Sequence, residues 1–153
     1  MRGASRSIKV RQSPERQSSS MATRILIVDD DPTIRRLLRR VLEDHEEWNV
    51  CAEAVNGMDA IAKANDSTPD VVVMDLAMPR MNGLEAARQI SRAMPGLPML
   101  LLTVQELSNQ LLLEARNAGF RGAMSKSTGT EVVRGVQALL RSEMYFSPLD
   151  PPL

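Results

Sequence analysis

The stretch Arg24-Ile-Leu-Ile-Val-Asp-Asp-Asp-Pro32 runs through apolar residues and then stops on three carboxylates. A second stretch, Asp70-Val-Val-Val-Met-Asp-Leu-Ala-Met-Pro79, repeats the pattern, with Asp75 closing the apolar run. Short β-branched runs that are apolar on both faces mark buried parallel strands. Strands that end on acids bring those acids to the carboxyl edge of the sheet, where open α/β sheets bind ligands. Carboxylates collected there suit a hard cation and a phosphate. A further run, Pro98-Met-Leu-Leu-Leu-Thr103, ends on a hydroxyl, and Lys126 follows the short run Arg121–Met124.

Helical periodicity fills the gaps between these runs. Ile34, Leu37, Leu38, Val41 and Leu42 recur at helical spacing after Asp31-Pro32, a cap followed by a proline. A weaker strand is expected near Val50–Ala54 and a short helix around Met58–Ala64. After the strand Val71–Met74, Asn82 and Glu85 have capping-box spacing and open a helix to about Ala93. The next helix spans about Leu107 to Ala118, with Gly119 as its stop. Thr128-x-x-Glu131 opens the last helix, whose stripe is Val132, Val133, Val136, Leu139 and Leu140. Five βα units in this order predict a doubly wound parallel sheet with helices on both faces.

Composition narrows the class. At 153 residues the chain is one domain's worth, and 43% apolar with 25% charged residues is ordinary for a globular protein. The longest apolar stretch, around Met99 to Val104, is strand-sized and far too short to span a bilayer. Cys51 is the single cysteine, so no internal disulfide forms, and a reducing cytoplasm is expected, with Cys51 serving as a small packing residue. Net charge is zero, yet residues 1–20 carry five basic residues against Glu15 alone, leaving the body acidic. Residues 1–22 therefore read as a disordered basic leader, with Met21 as a natural start. The acidic body argues against direct nucleic acid binding.

At this point the residues resemble the receiver domain of bacterial two-component response regulators. The parts that carry the resemblance are Ile-Leu-Ile-Val-Asp29-Asp30, Val-Met-Asp75-Leu-Ala-Met-Pro79-Arg-Met-Asn-Gly83, Leu-Leu-Thr103 and Gly122-Ala-Met-Ser-Lys126. The resemblance runs from about Arg24 to Ser142. It implies a flavodoxin-like fold with sheet order 2-1-3-4-5 over residues 23–142, followed by a linker-like tail over 143–153. It also implies that Asp75 is a phosphoryl acceptor forming an acyl phosphate. Asp29, Asp30, Asp75 and the backbone carbonyl of Ala77 would then hold Mg²⁺, with Asp29 acting mainly through a coordinated water. Lys126 would pair with a phosphoryl oxygen as a point charge, and the Thr103 hydroxyl would turn onto another.

The implied partners are a sensor histidine kinase or phosphotransfer protein, a downstream protein, and a second copy of the chain in a homodimer. A turnover enzyme is not implied, nor is a membrane. The implied output face lies on the fourth helix, fifth strand and fifth helix. Three consecutive leucines, Leu111, Leu112 and Leu113, fall there and cannot all face inward, so at least one is expected at an interface.

Plainer readings stand beside these. Asp31 caps a helix; Thr103 alone is an ordinary strand hydroxyl; Lys126 alone is a surface lysine. His45, among Glu43, Asp44, Glu46 and Glu47, reads as a solvated helix end, and with no second histidine a zinc site is not expected. The sequence also departs from the family. Ala123 stands where an aromatic is usual, Val104 is larger than the common residue and is expected to narrow access to Asp75, and Ser127 replaces the common proline. Met144-Tyr145-Phe146-Ser147-Pro148 looks like the linker of NarL/FixJ-type receivers leading into a helix-turn-helix output domain. The alternatives are an unphosphorylated pseudo-receiver, the receiver fragment of a DNA-binding transcriptional regulator, and a phosphatase with an aspartate nucleophile.

Overall fold

The computed structural model describes residues 22–126 and 129–146. Eleven elements alternate along the chain. They are β1 (Thr23–Val28), α1 (Pro32–Glu43), β2 (Trp48–Ala54), α2 (Gly57–Ser67), β3 (Val71–Asp75) and α3 (Gly83–Ala93). Then come β4 (Met99–Thr103), α4 (Asn109–Ala118), β5 (Gly122–Ser125), α5 (Gly129–Leu140) and β6 (Tyr145–Phe146). The strands form one sheet in the order β2-β1-β3-β4-β5-β6, and every neighbouring pair is parallel.

The apolar runs fold this way because both sides of each strand are covered. Successive residues point to opposite faces. On one face Leu26, Val28, Val72, Met74 and Leu101 pack with Ala60, Ala86, Ala87, Ile90, Leu111 and Ala115 of α2, α3 and α4. On the other, Ile25, Ile27, Val71, Val73, Leu100 and Leu102 meet Leu38, Leu42, Val132, Val136 and Leu139 of α1 and α5. All residues of β3 and β4 are buried. Each fully buried leucine or isoleucine contributes about 1.5–3 kcal/mol, so truncating Leu42 to alanine is the kind of change that costs about 2–5 kcal/mol.

The caps read from the sequence are in place. Asp31 accepts the Thr33 N–H at 2.8 Å before Pro32. Asn82 and Glu85 form a complete capping box. Gly119 ends α4 with φ 109°, a left-handed conformation that favours glycine. Several boundaries differ from expectation, among them the start of β2 at Trp48 rather than Val50. The Asn56 side chain accepts from Asp59 N–H, so α2 starts at Gly57 and runs on to Ser67. The Ser108 side chain accepts from Leu111 N–H, so α4 begins after it rather than at Leu107. Thr128 lies outside the described residues, as does the leader up to Met21.

The tail is the larger difference. Tyr145 and Phe146, expected to belong to a linker, pair with Gly122 and Ala123 and extend the sheet to a sixth strand. This pairing covers an edge that β5 would otherwise expose. His45 also departs from expectation: it is half-buried and stacked on Trp48, with ring centroids 4.1 Å apart. The indole offers an apolar plate that outweighs solvation of the imidazole face. Cys51 is half-buried, its Sγ 3.5 Å from the Ile25 carbonyl.

Candidate functional site

β1 and β3 are adjacent and in register, Val28 opposite Met74, so the next residues, Asp29 and Asp75, leave the sheet side by side. Burial is nearly complete: Asp29 is 1% and Asp75 6% exposed, whereas Asp30 is exposed. One carboxylate oxygen from each of the three acids lies within 4.8 Å of the others. Lys126, one residue past β5, reaches across the edge. Its Nζ stands 2.7 Å from Asp29 Oδ2 and 3.0 Å from Asp75 Oδ1. The ammonium of Lys126 thus meets both buried acids at once.

Backbone contacts fix the rest. Asp29 Oδ1 accepts from the Asp31 N–H at 2.9 Å, and the Asp29 N–H donates to the Ala54 carbonyl. Lys126 N–H donates to the Thr103 carbonyl at 3.0 Å, tying β5 to β4 at the site. Thr103 is 1% exposed, and its Oγ1 accepts from the Gln105 N–H, leaving the hydroxyl proton free to be donated elsewhere. Gly83 closes the underside. A Cβ there would overlap the Asp75 backbone carbonyl, and its N–H donates to the Leu76 carbonyl at 2.8 Å.

The electrostatics follow from burial and crowding. Burial raises the Asp75 pKa above the ordinary carboxylate value, and the charges of Asp29 and Asp30 push the same way, against the pull of Lys126. For Lys126, burial pulls the ammonium down, but its contacts with Asp29 and Asp75 outweigh it, so the pKa is raised and the charge is kept. One ammonium against three carboxylates leaves a site that attracts a cation. The donors are all hard oxygens, gathered within 4.8 Å of one another, and the exposed Asp30 leaves room for water ligands. That set fits Mg²⁺, which binds through a few carboxylates and retains waters.

Asp29, Asp30, Asp75 and Lys126 meet at the sheet edge, and Thr103 is tied to Lys126 through its backbone carbonyl. Ala77 is exposed two positions past Asp75, on the loop into α3. Val104 is 80% exposed. Away from the site, Leu111 is buried, Leu112 half-buried and Leu113 54% exposed. Arg35 was not singled out by sequence: its Nη1 donates to the Asp29 carbonyl at 2.8 Å, and its Nε meets Glu53 Oε1 at 2.9 Å. Only its place one turn after the Asp31 cap separates it from the neighbouring arginines of α1.

Among the described residues no helix is long and apolar enough to cross a membrane. Residues 25–137 match the response regulator receiver domain family. The chain is 34% identical over 126 residues to the response regulator GacA of Pseudomonas viridiflava, covering 82% of this chain and 58% of GacA. It is 36% identical over 124 residues to the response regulator UvrY of Escherichia coli, covering 80% of this chain and 56% of UvrY. The chain thus spans little more than half the length of these curated relatives. A two-component response regulator of the LuxR family from Aurantimonas superposes with a TM-score of 0.80 at 34% identity, covering 84% of this chain and 91% of that one. A parallel sheet ending in a lysine-clamped carboxylate cluster and the match over residues 25–137 agree, and the chain belongs to the response regulator receiver domain family.

Proposed function

We propose that Asp75 accepts a phosphoryl group from a phosphohistidine of a sensor kinase or phosphotransfer protein, and that the resulting acyl phosphate switches a protein-interaction face. The observation that carries this reading is Asp75 Oδ1 at the sheet edge, buried beside Asp29 and 3.0 Å from Lys126 Nζ. An Asp75 oxygen attacks phosphorus as the P–N bond of the donor breaks, and the released electron pair stays with the donor imidazole. Asp29, Asp30, Asp75 and the Ala77 backbone carbonyl would hold Mg²⁺, Asp29 mainly through a coordinated water, and the bound ion would neutralise phosphoryl charge. Lys126 turns from the carboxylates to a phosphoryl oxygen, and Thr103 donates its hydroxyl to another. Both contacts favour the phosphorylated form over the unmodified one, which is what a two-state switch requires.

The chain acts as a stoichiometric acceptor in the cytoplasm rather than as a turnover enzyme. Its partners are the kinase or phosphotransfer protein, a downstream protein, and a second copy through the face bearing Leu112 and Leu113. Nucleic acid contact, as in regulators that carry an output domain, belongs to residues outside the receiver. The test is intact-protein mass spectrometry after incubation with acetyl phosphate and Mg²⁺, beside Asp75→Asn. One labile phosphoryl adduct that requires Mg²⁺ and is missing from the variant is expected. A folded, Mg²⁺-bound protein that gives no adduct with acetyl phosphate or with kinase would instead be an interaction module that signals by binding alone.

A further inference from the structure

The side chain of Arg35 joins two strands at the edge of the site. Its Nη1 donates to the Asp29 carbonyl at 2.8 Å, and its Nε donates to Glu53 Oε1 at 2.9 Å. Both contacts come from one planar guanidinium, so together they fix its orientation. Glu53, near the end of β2, is held in turn. Arg39 Nε donates to its Oε2 at 2.8 Å, and Lys63 Nζ of α2 donates to its carbonyl at 2.7 Å. The Arg35 side chain is 15% exposed, whereas Arg36 and Arg40 on the same helix are exposed to solvent.

Asp29 is gripped along its whole length. Its N–H donates to the Ala54 carbonyl at 3.1 Å, its Oδ1 accepts from the Asp31 N–H at 2.9 Å, and its Oδ2 meets Lys126 Nζ at 2.7 Å. Arg35 holds what is left, the main-chain carbonyl. That carbonyl shares a rigid plane with the Asp30 N–H. Holding its oxygen sets the rotation of the peptide from which Asp30 departs, and with it the direction of the Asp30 carboxylate. Asp30 is the exposed acid of the cluster, so packing does least to aim its side chain.

We infer that Arg35 is a positioning residue for the cation site, aiming Asp30 through the Asp29–Asp30 peptide with Glu53 as its anchor; this rests on the reading of the three acids as a Mg²⁺ site. Charge alone argues the other way. A guanidinium beside a cluster that takes a divalent cation repels that cation, so its charge by itself weakens binding. Fold stability does not account for the carbonyl contact either. Arg39 holds the same glutamate and turns its Nη1 to Glu43 Oε2, 3.3 Å away, instead of to the site. Groups that orient metal ligands from behind typically carry about 10–100-fold of metal affinity, which outweighs the repulsion of one partly screened charge.

Thermal melts of the full chain, in chelator and over a series of Mg²⁺ concentrations, test this. Chelator reports fold stability, and the rise with Mg²⁺ reports affinity. In Arg35→Met the rise is expected to need about tenfold more Mg²⁺ than in wild type. Arg39→Met should melt earlier in chelator yet keep the wild-type Mg²⁺ dependence. Combined with Asp30→Asn, Arg35→Met should cost no further affinity, since the group it aims has lost its charge. Should Arg35→Met not fold in chelator, Arg35→Gln, which keeps one donor, takes its place in each comparison. Unchanged or tighter Mg²⁺ binding in Arg35→Met overturns the positioning role and leaves the cation site intact, as does equal weakening in Arg39→Met. Additive losses in the double variant overturn the route through Asp30 and with it the inference. A wild-type melt insensitive to Mg²⁺ overturns the cation site and the positioning role together.

Discussion

Lys126 Nζ lies 3.0 Å from Asp75 Oδ1, and its other near neighbour, at 2.7 Å, is Asp29 Oδ2. The lysine is the counter-charge that allows two adjacent strands to end on buried acids. Removing one member of a buried ion pair leaves the others uncompensated, which is worse than never having had the pair. Lys126→Met is expected to lower stability by about 1–3 kcal/mol in chelator, measured by urea denaturation at neutral pH. Adding Mg²⁺ should recover part of the loss, because a cation among the carboxylates substitutes for the ammonium. A loss unaffected by Mg²⁺ would mean that Lys126 acts through packing of its stem alone.

Asp75→Asn should move stability in the opposite direction. Asp75 faces two like charges, Asp29 and Asp30, and one unlike charge, Lys126. Burial of the charged carboxylate is the largest cost, and the like charges add to it against the pull of Lys126, so the variant should be more stable than wild type in chelator, on the order of 1 kcal/mol. Mg²⁺ should reverse the ranking. At ten times its dissociation constant a ligand stabilises the folded state by about 1.4 kcal/mol, a few degrees in melting temperature for a domain of this size. Thermal melts of both proteins with and without Mg²⁺ decide the point; equal Mg²⁺ shifts would remove Asp75 from the cation site.

These two expectations show what the sequence makes legible. Ile25–Val28 and Val71–Met74 are continuous apolar runs, readable because buried parallel strands need no alternation. Their terminal acids locate the site because a carboxylate ending such a run is costly unless used. The caps at Asp31, Asn82 and Gly119 are local chemistry, and each is where its residue type dictates. What escapes the sequence is set by distant contacts. Tyr145 and Phe146 are too few to show a period, and only the open edge of β5 makes them a strand. His45 is ordered by Trp48, and Arg35 differs from its neighbours only in facing Asp29 and Glu53. The direction in which Lys126 leans is likewise invisible until β1, β3 and β5 are side by side.

Glu53 gives the chain a pH-dependent fastening near the site. Arg35 Nε and Arg39 Nε each hold one of its oxygens, at 2.9 and 2.8 Å. Burial raises the Glu53 pKa, but the hydrogen bonds from Arg39 and Arg35 outweigh it, so the value is lowered. The unfolded chain therefore takes up the proton first as pH falls. The stability this group contributes is present above the ordinary glutamate pKa, near 4.5, and is lost as pH drops through the lower folded value. Glu53→Gln should be less stable than wild type by about 1 kcal/mol at neutral pH, given partial exposure, and the gap should close in acid. Urea midpoints at neutral pH and at acid pH measure both values, and a gap that stays constant would exclude the arginine fork as its source.

Gly83→Ala sets two effects of opposite sign against each other. Position 83 is the first residue of α3 after the Asn82 cap, and alanine is favoured over glycine inside helices by about 1 kcal/mol. Propensity alone would thus make the variant more stable. The added methyl, however, would overlap the Asp75 backbone carbonyl and crowd Leu76 Cα, which stands 3.2 Å from the Cβ position. Backbone cannot rotate away as a side-chain tip can, so either α3 or the end of β3 must shift, at a cost of about 1–3 kcal/mol. Clash therefore outweighs propensity, and a net loss of stability is expected. Because the displaced atoms belong to Asp75 and Leu76, adduct formation with acetyl phosphate should also slow. Gly96→Ala is the control, since nothing lies within 4 Å of a Cβ there. It should be neutral or slightly stabilising and leave the adduct rate unchanged. Equal effects at both positions would mean that the packing of Gly83 against Asp75 does not hold the acceptor in place.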